Sequence, residues 1–332
     1  MGVYPARGCP FLCNFCSVIK IAGRQVRSQP VETTIKTLAA AKQAGVKLVI
    51  FTSDNLNKYH EVRDLMEAMI ASKLGLGFFC QCDTQVAGQE DLVDLMARAG
   101  CFQIFVGVES FDRVALKGVH KTQNRPEVYE SIVRSCLKYG VTSHFSNIIG
   151  FPNQDSASIR GHSNILRALA PGAASFYILT PIPGTEQYGD FLRDGLLTEP
   201  NLDRYDTTHL VWRHPHLSPD ELPRLLFECY RGFYNLGDAF KKAVRQHGMN
   251  LSRVAVSMGA SAFSWMSGVL GRHPMSGGIG IRDIDHVRDY LPYRRRLFGD
   301  VLEGDLIPLP DNLALSAPDI ALNRKVNLHP TG

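Results

Sequence analysis

Short apolar segments alternate along the first half of the chain with longer segments whose apolar residues recur every three or four positions. The short segments are Val46–Asn55, Leu76–Gln85, Cys101–Ser110, Val141–Phe151 and Ala174–Gly184, and the stretch GVYPARG from Gly2 has the character of a first strand. Strands that alternate with helices predict parallel strands joined by right-handed crossovers. Six such units can form either an open doubly wound sheet or an incomplete barrel.

Polar or unusual residues follow each predicted strand at its carboxyl end. TSDN follows LVIF, QCDTQ follows GFF, ES follows FVGV, and PIPGTEQ follows YIL. Ligands bind at this edge in barrels and in open α/β sheets alike. The sequence therefore predicts a site that faces a ring of polar strand ends.

The chain changes character near residue 200, so we expect a first domain over 1–200 and a mostly helical C-terminal domain with an irregular tail over 201–332. SPDEL predicts a helix start with Ser218 as its N-cap. The apolar stretch Val254–Gly271 lies between Arg253 and Arg272 and has three interpretations: a buried bundle helix, a membrane-contacting helix or a wall of the substrate cavity. The basic run at 293–299 is interpreted as a solvated helix face.

Composition indicates an ordinary globular protein. Apolar residues make up 45% of the 332 residues and charged residues 20%, and the net charge is +4, so no nucleic-acid partner is expected. The N-terminus lacks the pattern of a signal peptide and no stretch is apolar enough to predict a membrane span. Eight cysteines without a secretory signal favour the reducing cytoplasm, where clustered thiols bind metal or perform redox chemistry.

Three of the cysteines, Cys9, Cys13 and Cys16, share the spacing C-x3-C-x2-C. A structural zinc site would need four ligands, usually as two separated pairs. A redox C-x-x-C pair would explain Cys13 and Cys16 and leave Cys9 without a role. An iron–sulfur cluster normally takes four thiolates, so three would leave one iron open to another ligand, and this interpretation is favoured.

The stretch CPFLCNFC resembles the signature C-x3-C-x-Φ-C of the radical S-adenosylmethionine (SAM) superfamily, with Phe15 as the aromatic residue Φ. The resemblance covers about residues 3 to 200 and implies an incomplete (β/α)6 TIM-like barrel with a helical C-terminal extension. It also implies a 4Fe–4S cluster whose open iron binds SAM, and reductive cleavage of SAM to methionine and a 5′-deoxyadenosyl radical.

Further matches assign residues to SAM at three strand ends. Thr52, Ser53 and Asp54 stand where the family binds the methionine amino group, although the usual glycines are missing and backbone carbonyls would have to act. Glu109 and Ser110 in GVES resemble the ribose-binding position, and Ile148 and Gly150 in SNIIGFP resemble the motif that packs on adenine.

Several polar residues alternate with apolar neighbours, so some of them should point into the barrel. These are Gln81, Asp83, His144, Asn147 and Tyr177. Asp83 and Tyr177 are the candidates for substrate contact, Asp83 because an unused buried carboxylate is costly. For His144 a structural role is an equal alternative.

The sequences at the strand ends most resemble those of cobalamin-binding radical SAM enzymes. These enzymes include class B methyltransferases and hopanoid-pathway enzymes. Only eight residues precede Cys9 and no D-x-H-x-x-G motif is present, so use of cobalamin is doubtful and a separate cobalamin-domain subunit or a truncated product stays open. The predicted reaction is activation of an unreactive C–H bond of a small substrate, which could be lipid-like, followed by methylation or rearrangement.

The expected partners are that substrate and a one-electron reductant of the flavodoxin or ferredoxin kind, and a membrane surface is a further candidate. Two alternatives belong to other classes. One is a tRNA-modifying methylthiotransferase, whose extra cysteine domain and basic RNA-binding module are not apparent here. The other is a non-catalytic iron–sulfur protein, which would not need the polar strand ends.

Overall fold

A computed structural model describes residues 1–200 and 202–276. The basic run at 293–299 and the predicted irregular tail therefore lie outside the described residues. Met1–Glu199 and the described residues from Asp203 onward belong to one compact unit. The boundary near residue 200 stays a prediction.

Eight strands are present in the described residues: β1 (Gly2–Val3), β2 (Ala6–Arg7), β3 (Arg27–Ser28), β4 (Leu48–Phe51), β5 (Gly77–Cys82), β6 (Cys101–Glu109), β7 (Thr142–Ile149) and β8 (Ala173–Ile178). Six of them form one sheet in the order β1-β4-β5-β6-β7-β8, and every neighbouring pair is parallel. β1 and β8 are its two edges, so the sheet is an open, incomplete barrel, and the predicted α/β fold is confirmed.

The predicted first strand is divided. β1 pairs with β4, whereas β2 leaves the sheet and pairs antiparallel with β3. Pro5 lies between the two segments and has no N–H to donate to a ladder, which explains the break. The division directs the chain after Arg7 into the cysteine loop at the carboxyl edge of the sheet.

Eleven α-helices lie in the described residues: α1 (Val18–Ile21), α2 (Val31–Gln43), α3 (Val62–Ser72), α4 (Glu90–Arg98), α5 (Arg113–Gly118), α6 (Tyr129–Lys138), α7 (Ser156–Leu169), α8 (Glu186–Arg193), α9 (Glu221–Phe233), α10 (Leu236–His247) and α11 (Leu251–Val269). α2 follows the alternation predicted from its apolar spacing, as do α3, α4 and α6. α9 begins at Glu221, and Ser218 Oγ accepts a hydrogen bond from Glu221 N (3.2 Å), so the predicted cap lies one turn before the helix.

Alternate strand residues bury their side chains between the sheet and the helices. Phe78, Cys80 and Cys82 of β5 do so, and Ile104, Val106 and Val108 of β6 are fully buried. The residues between them, such as Gln81 and Phe105, face the inner side of the sheet and are half-buried. The core is therefore on the outer face, and the inner face is left for polar side chains.

The edge strand β8 is covered by Tyr230 of α9 and by Tyr234, which directly follows that helix. Ala174 N donates to Tyr234 Oη (3.0 Å) and Tyr234 Oη donates to Ala174 O (2.7 Å), while Phe176 N donates to Tyr230 Oη (3.1 Å). Four residues of helix rise about as far as two residues of strand, so the two hydroxyls match alternate residues of the edge. The helical extension thus satisfies backbone groups that an open edge would leave exposed.

Candidate functional site

The cysteine loop is anchored by the end of β4. Gly8 N donates to Asp54 Oδ2 (2.8 Å) and Ala6 N donates to Ser53 Oγ (3.1 Å). Thr52 Oγ1 donates to Val3 O (3.1 Å). The three side chains predicted to lie at the methionine end of SAM therefore hold the backbone that leads into the loop. Their role at SAM stays a prediction, and it would depend on their backbone groups.

A glycine is required where the loop begins. Gly8 has φ +105°, a conformation that side chains disfavour. A Cβ atom at this position would lie 2.2 Å from the carbonyl oxygen of Gln25. The close approach lets Cys9 N donate to Gly23 O (3.1 Å), which closes the loop.

Amide groups point at the sulfur atoms of the loop. Asn55 Nδ2 donates to Cys9 Sγ (3.1 Å), and Gln123 Nε2 lies 3.6 Å from Cys13 Sγ in a sulfur hydrogen bond. Burial raises the pKa of Cys9, and the neighbouring Cys16 and Cys13 raise it further. Burial also raises the pKa of Cys16, while the Val18 backbone N–H lowers it. Without a positive ligand, these thiols are thus disfavoured as thiolates.

The cysteine loop fits the iron–sulfur cluster predicted for it. Across residues 1–200 and 202–276, no three His, Cys, Asp or Glu side chains converge on a point suited to a single metal ion. Cysteines on a cubane cluster bind different irons, so their sulfurs need not converge on one point. The buried Asn14 Oδ1, inside the loop, has no hydrogen-bond partner. Cys9, Cys13 and Cys16 would hold the cluster, with amide donors on two sulfurs.

A buried ion pair lies beside the loop, at the end of β6. Lys121 Nζ is 2.6 Å from Glu109 Oε1, and the two side chains are 12% and 8% exposed. Ser146 Oγ donates to Glu109 Oε2 (3.2 Å), and Lys121 Nζ is 5.7 Å from the centre of the Phe15 ring. Burial alone would lower the pKa of Lys121, but the Glu109 carboxylate raises it above its ordinary value.

The backbone around Glu109 is arranged for this pair. Glu109 has φ +58°, which is uncommon for a residue other than glycine, and the register between β6 and β7 shifts between Gly107 and Glu109. A Cβ at Gly107 would lie 2.6 Å from Glu109 Oε1 and 3.0 Å from Lys121 Nζ. The glycine of GVES therefore leaves the space that the ion pair fills.

Sequence reasoning found Glu109 and missed the residues that position it. Lys121 lies in a turn with no recognisable motif, twelve residues after its partner. Asn124 Nδ2 donates to Gly107 O (2.9 Å) and Val108 O (2.8 Å), which holds the end of β6. Ser110 is fully buried, and its Oγ accepts from Asp112 N (3.0 Å), so it shapes the turn after the strand.

The predicted adenine segment lies on the adjacent strand. Ile148 is almost buried, and Gly150 has φ +79°. A Cβ at Gly150 would lie 2.5 Å from Leu222 Cδ2, so the glycine also lets α9 approach. Gln154 Oε1 accepts hydrogen bonds from Gly150 N (2.9 Å) and Phe151 N (3.1 Å), a contact that sequence reasoning missed.

Asp83 lies at the end of β5 and is 4% exposed. Its Oδ1 accepts from Gln85 N (2.7 Å) and so caps the following turn. Lys58 Nζ is 3.6 Å from Asp83 Oδ2, which is close enough for an ion pair but beyond hydrogen-bond distance. Lys58 Nζ also lies 5.7 Å from the Phe11 ring centre, so Asp83 is linked to the cysteine loop.

A neutral histidine joins three strands on the inner face. His144 Nδ1 is 2.7 Å from Gln103 Nε2, and His144 Nε2 is 2.6 Å from Ser175 Oγ. Burial lowers the pKa of His144 to about 4. Both ring nitrogens have partners, so the imidazole is held in one orientation.

Two other inner-face candidates differ from each other. Tyr177 is half-buried on this face, its ring centre is 5.2 Å from that of His273, and burial raises its pKa. Asn147 instead faces the helices, where His162 Nε2 lies 3.3 Å from its Oδ1. Asn147 is therefore not among the residues that point into the barrel, because alternation along β7 places His144 and Ser146 on the inner face.

Fold and site together define an α/β half-barrel that carries a three-cysteine loop at the carboxyl edge of its sheet. The family model of the Radical SAM superfamily matches residues 3–164. Residues 3–164 accordingly form a radical SAM domain, and the predicted superfamily is confirmed for that part of the chain. The predicted cofactors, a 4Fe–4S cluster and SAM, are those of the family.

Several of the similar proteins are named as methyltransferases, and one is named as an anaerobic magnesium-protoporphyrin IX monomethyl ester cyclase. An uncharacterized methyltransferase of Pyrococcus horikoshii is 27% identical over 247 residues, which cover 74% of this chain and 53% of that protein. Bacteriochlorophyllide d C-12(1)-methyltransferase of Chlorobaculum tepidum is 26% identical over 254 residues, covering 75% of this chain and 54% of that protein. The chain thus spans about half the length of these relatives.

Solved structures share the fold. The radical SAM methyltransferase TsrM of Kitasatospora setae, with cobalamin and a 4Fe–4S cluster bound, matches with a TM-score of 0.56 and 18% identity. The match covers 68% of this chain and 43% of TsrM. At this identity the likeness establishes the α/β architecture.

Proposed function

We propose that this chain is the catalytic barrel of a radical SAM methyltransferase that acts on an unreactive carbon of a small substrate. The observation that carries the proposal is the buried Lys121–Glu109 pair, which lies at the same strand-end edge as the cysteine loop. A simple iron–sulfur carrier would have no use for a buried, strained carboxylate beside its cluster. Methylation is preferred over rearrangement because the two relatives described above are named as methyltransferases.

The chain's own residues would divide the work as follows. Cys9, Cys13 and Cys16 hold the cluster, and Asn55 donates to a sulfur and so affects the reduction potential. When bound, the reduced cluster supplies the electron that cleaves SAM, and the protein contributes orientation and exclusion of water. Glu109 accepts hydrogen bonds from the ribose hydroxyls, and Lys121 keeps its carboxylate in place.

The inner face of the sheet would contact the substrate. Phe79 and Phe105 are half-buried there, with ring centres 6.3 Å apart. The ring centres of His144 and Phe105 are 4.9 Å apart. Aromatic walls with a few fixed polar groups are typical of small-molecule sites. A largely apolar substrate with one polar group that Tyr177 could bind fits this surface, with Asp83 at its rim.

The proposed partners follow from this chemistry. SAM cleavage requires a one-electron reductant of the flavodoxin or ferredoxin kind. All eight cysteines lie in the described residues and are free thiols, which suits the reducing cytoplasm. Methyl transfer through cobalt would require cobalamin, which we propose is not held by residues 1–332 alone.

The test uses the full chain, reconstituted anaerobically with iron and sulfide and reduced with dithionite in the presence of SAM. We expect release of 5′-deoxyadenosine without added cobalamin, because cleavage depends only on cluster and barrel. A matched mixture desalted after incubation with hydroxocobalamin should keep no stoichiometric cobalamin. A full cluster without any release of 5′-deoxyadenosine would reject the catalytic proposal. One-to-one retention of cobalamin would reject the proposal that residues 1–332 alone do not hold it.

A further inference from the structure

Helix α11 turns its large apolar side chains outward. Val256, Phe263 and Leu270 recur every seven residues, so they lie along one side of the helix, and Met266 and Val269 adjoin them. Met249 is 82% exposed and lies in the turn just before the helix. We call these six residues the α11 outer face. Val256 is 74% exposed, Leu270 52% and Phe263 41%. A surface helix normally shows the opposite arrangement, with polar residues outward.

The side of α11 that packs on the protein is small and partly polar. Its buried residues are Val254, Ser261, Ser267 and Gly268. A Cβ at Gly268 would lie 3.1 Å from Tyr230 Cβ, and Arg231 Nη1 donates to Gly268 O (3.0 Å). Close packing on α9 therefore requires small residues here. Trp265 is partly buried against the core, whereas the residues of the outer face are exposed. The outer face is suited to an environment outside this unit.

The charge along the segment that carries this face has one sign, although Glu221 and Glu228 of α9 line a groove with Val269 at its C-terminal end. Residues 239–276 contain five of the 36 Lys and Arg of the chain and none of its 32 Asp and Glu. Lys241, Arg245 and Arg253 are exposed. A second copy of the same surface would bring like charges together, whereas an anionic surface would complement them.

We propose that the α11 outer face rests on the surface of an anionic lipid bilayer, with the basic residues of α10 and α11 against the headgroups. Among the described helices, α11 included, none has the length and hydropathy needed to cross a bilayer. An exposed apolar helix face with basic neighbours is the pattern of interfacial binding. This proposal is independent of the catalytic one, since it requires neither cofactor nor substrate.

The experiment is co-sedimentation of the full chain with vesicles, either of phosphatidylcholine alone or of phosphatidylcholine mixed with phosphatidylglycerol. We expect binding to the mixed vesicles that weakens as salt is added. The double variant Val256→Ser/Phe263→Ser should bind about tenfold more weakly or worse. The matched control, Val114→Ser/Ile165→Ser, removes exposed apolar side chains elsewhere and should bind as the wild type does.

Circular dichroism and a thermal melt establish that each variant is folded. Absence of binding by the wild type would overturn the proposal, as would equal binding by the Val256→Ser/Phe263→Ser variant. Light scattering measures the oligomeric state of the wild type and of the Val256→Ser/Phe263→Ser variant. A wild-type dimer that this variant converts to a monomer, together with no vesicle binding, would assign the outer face to self-association and overturn the lipid proposal.

Discussion

Two groups of cysteines in this protein show how differently the same side chain can be placed. Cys9, Cys13 and Cys16 lie within eight positions of one loop, and amide groups of Asn55 and Gln123 donate to two of their sulfurs. Cys80, Cys82, Cys101 and Cys136 come from β5, β6 and α6 and lie in the outer core, where the Cys80 and Cys101 sulfurs are 4.0 Å apart. We call these the loop cysteines and the core cysteines.

The surroundings of the sulfur atoms, and not their proximity, separate the two groups. Contacts with the Cys101 and Cys82 thiols, together with burial, raise the pKa of Cys80 well above its ordinary value. Burial raises the pKa of Cys136 strongly as well. No amide donates to these sulfurs among the hydrogen bonds of the described residues. The core cysteines therefore behave as small apolar residues.

The largest expected effect is on the cluster itself. Replacing Cys9, Cys13 or Cys16 by alanine should remove most of the iron and sulfide from anaerobically reconstituted protein, because each thiolate binds one iron. Cys136→Ala and Cys229→Ala are the matched controls and should keep full content, since both are buried in packing. Near-full iron content in all three loop variants would contradict the prediction that the loop cysteines, and not the core cysteines, hold the cluster.

The next effect concerns the cation beside the loop. Lys121→Met leaves the Glu109 carboxylate buried without its partner, which should lower the free energy of unfolding by about 3–5 kcal/mol in urea denaturation. The double variant Lys121→Met/Glu109→Gln should recover much of this loss, because no charge is then left unpaired. Lys138→Met, which breaks an exposed pair with Glu90, should leave stability unchanged within error. An unchanged free energy of unfolding in Lys121→Met would contradict this prediction. It would show that the Lys121–Glu109 pair contributes no more to stability than an exposed ion pair.

Cofactor binding should respond to Glu109 while the cluster does not. If its carboxylate accepts the ribose hydroxyls, Glu109→Ala weakens SAM binding by about 1.5–3 kcal/mol in calorimetry. Iron content should stay intact, since the cysteine loop is held by Asp54 and Ser53. Unchanged SAM affinity in this variant would exclude Glu109 from the SAM site, whereas loss of iron would show that it acts through the loop.

The smallest effect extends the comparison to histidines on the two faces of the sheet. Burial lowers the pKa of His144 on the inner face and of His162 on the outer face to about 4. In the unfolded chain both protonate near their ordinary pKa of about 6.5. As pH falls from 6.5 towards 4, only the unfolded state gains protons, so stability should fall by about 1.4 kcal/mol per pH unit for each histidine.

Urea denaturation at several pH values measures this slope. His144→Gln and His162→Gln should each remove the part of the slope that the replaced histidine contributes. This holds even if the substitution also lowers the free energy of unfolding at neutral pH. Well above pH 6.5 the two histidines contribute almost no slope, because both states are then neutral. If neither variant changes the pH dependence, burial does not hold these imidazoles neutral.

The sequence by itself determined what depends on local spacing. The interval C-x3-C-x2-C predicts the cluster ligands, and the alternation of strand and helix predicted six parallel strands with polar residues at one edge. Both are periodic or short-range features, which the residues specify directly. Glu109 was predicted because GVES at a strand end resembles the ribose-binding position of the family, and its role there stays a prediction.

Tertiary structure decided which distant residues meet and which side chains remain available. Ser53 and Asp54 are where the sequence predicted them, yet their side chains are committed to the backbone of the cysteine loop. Lys121 reaches Glu109 across a turn, and Tyr230 reaches Phe176 from a helix more than fifty residues away. Such pairings depend on strand register and on helix docking. No local pattern encodes them, because the free energy that selects them is gained only when the separate elements pack together.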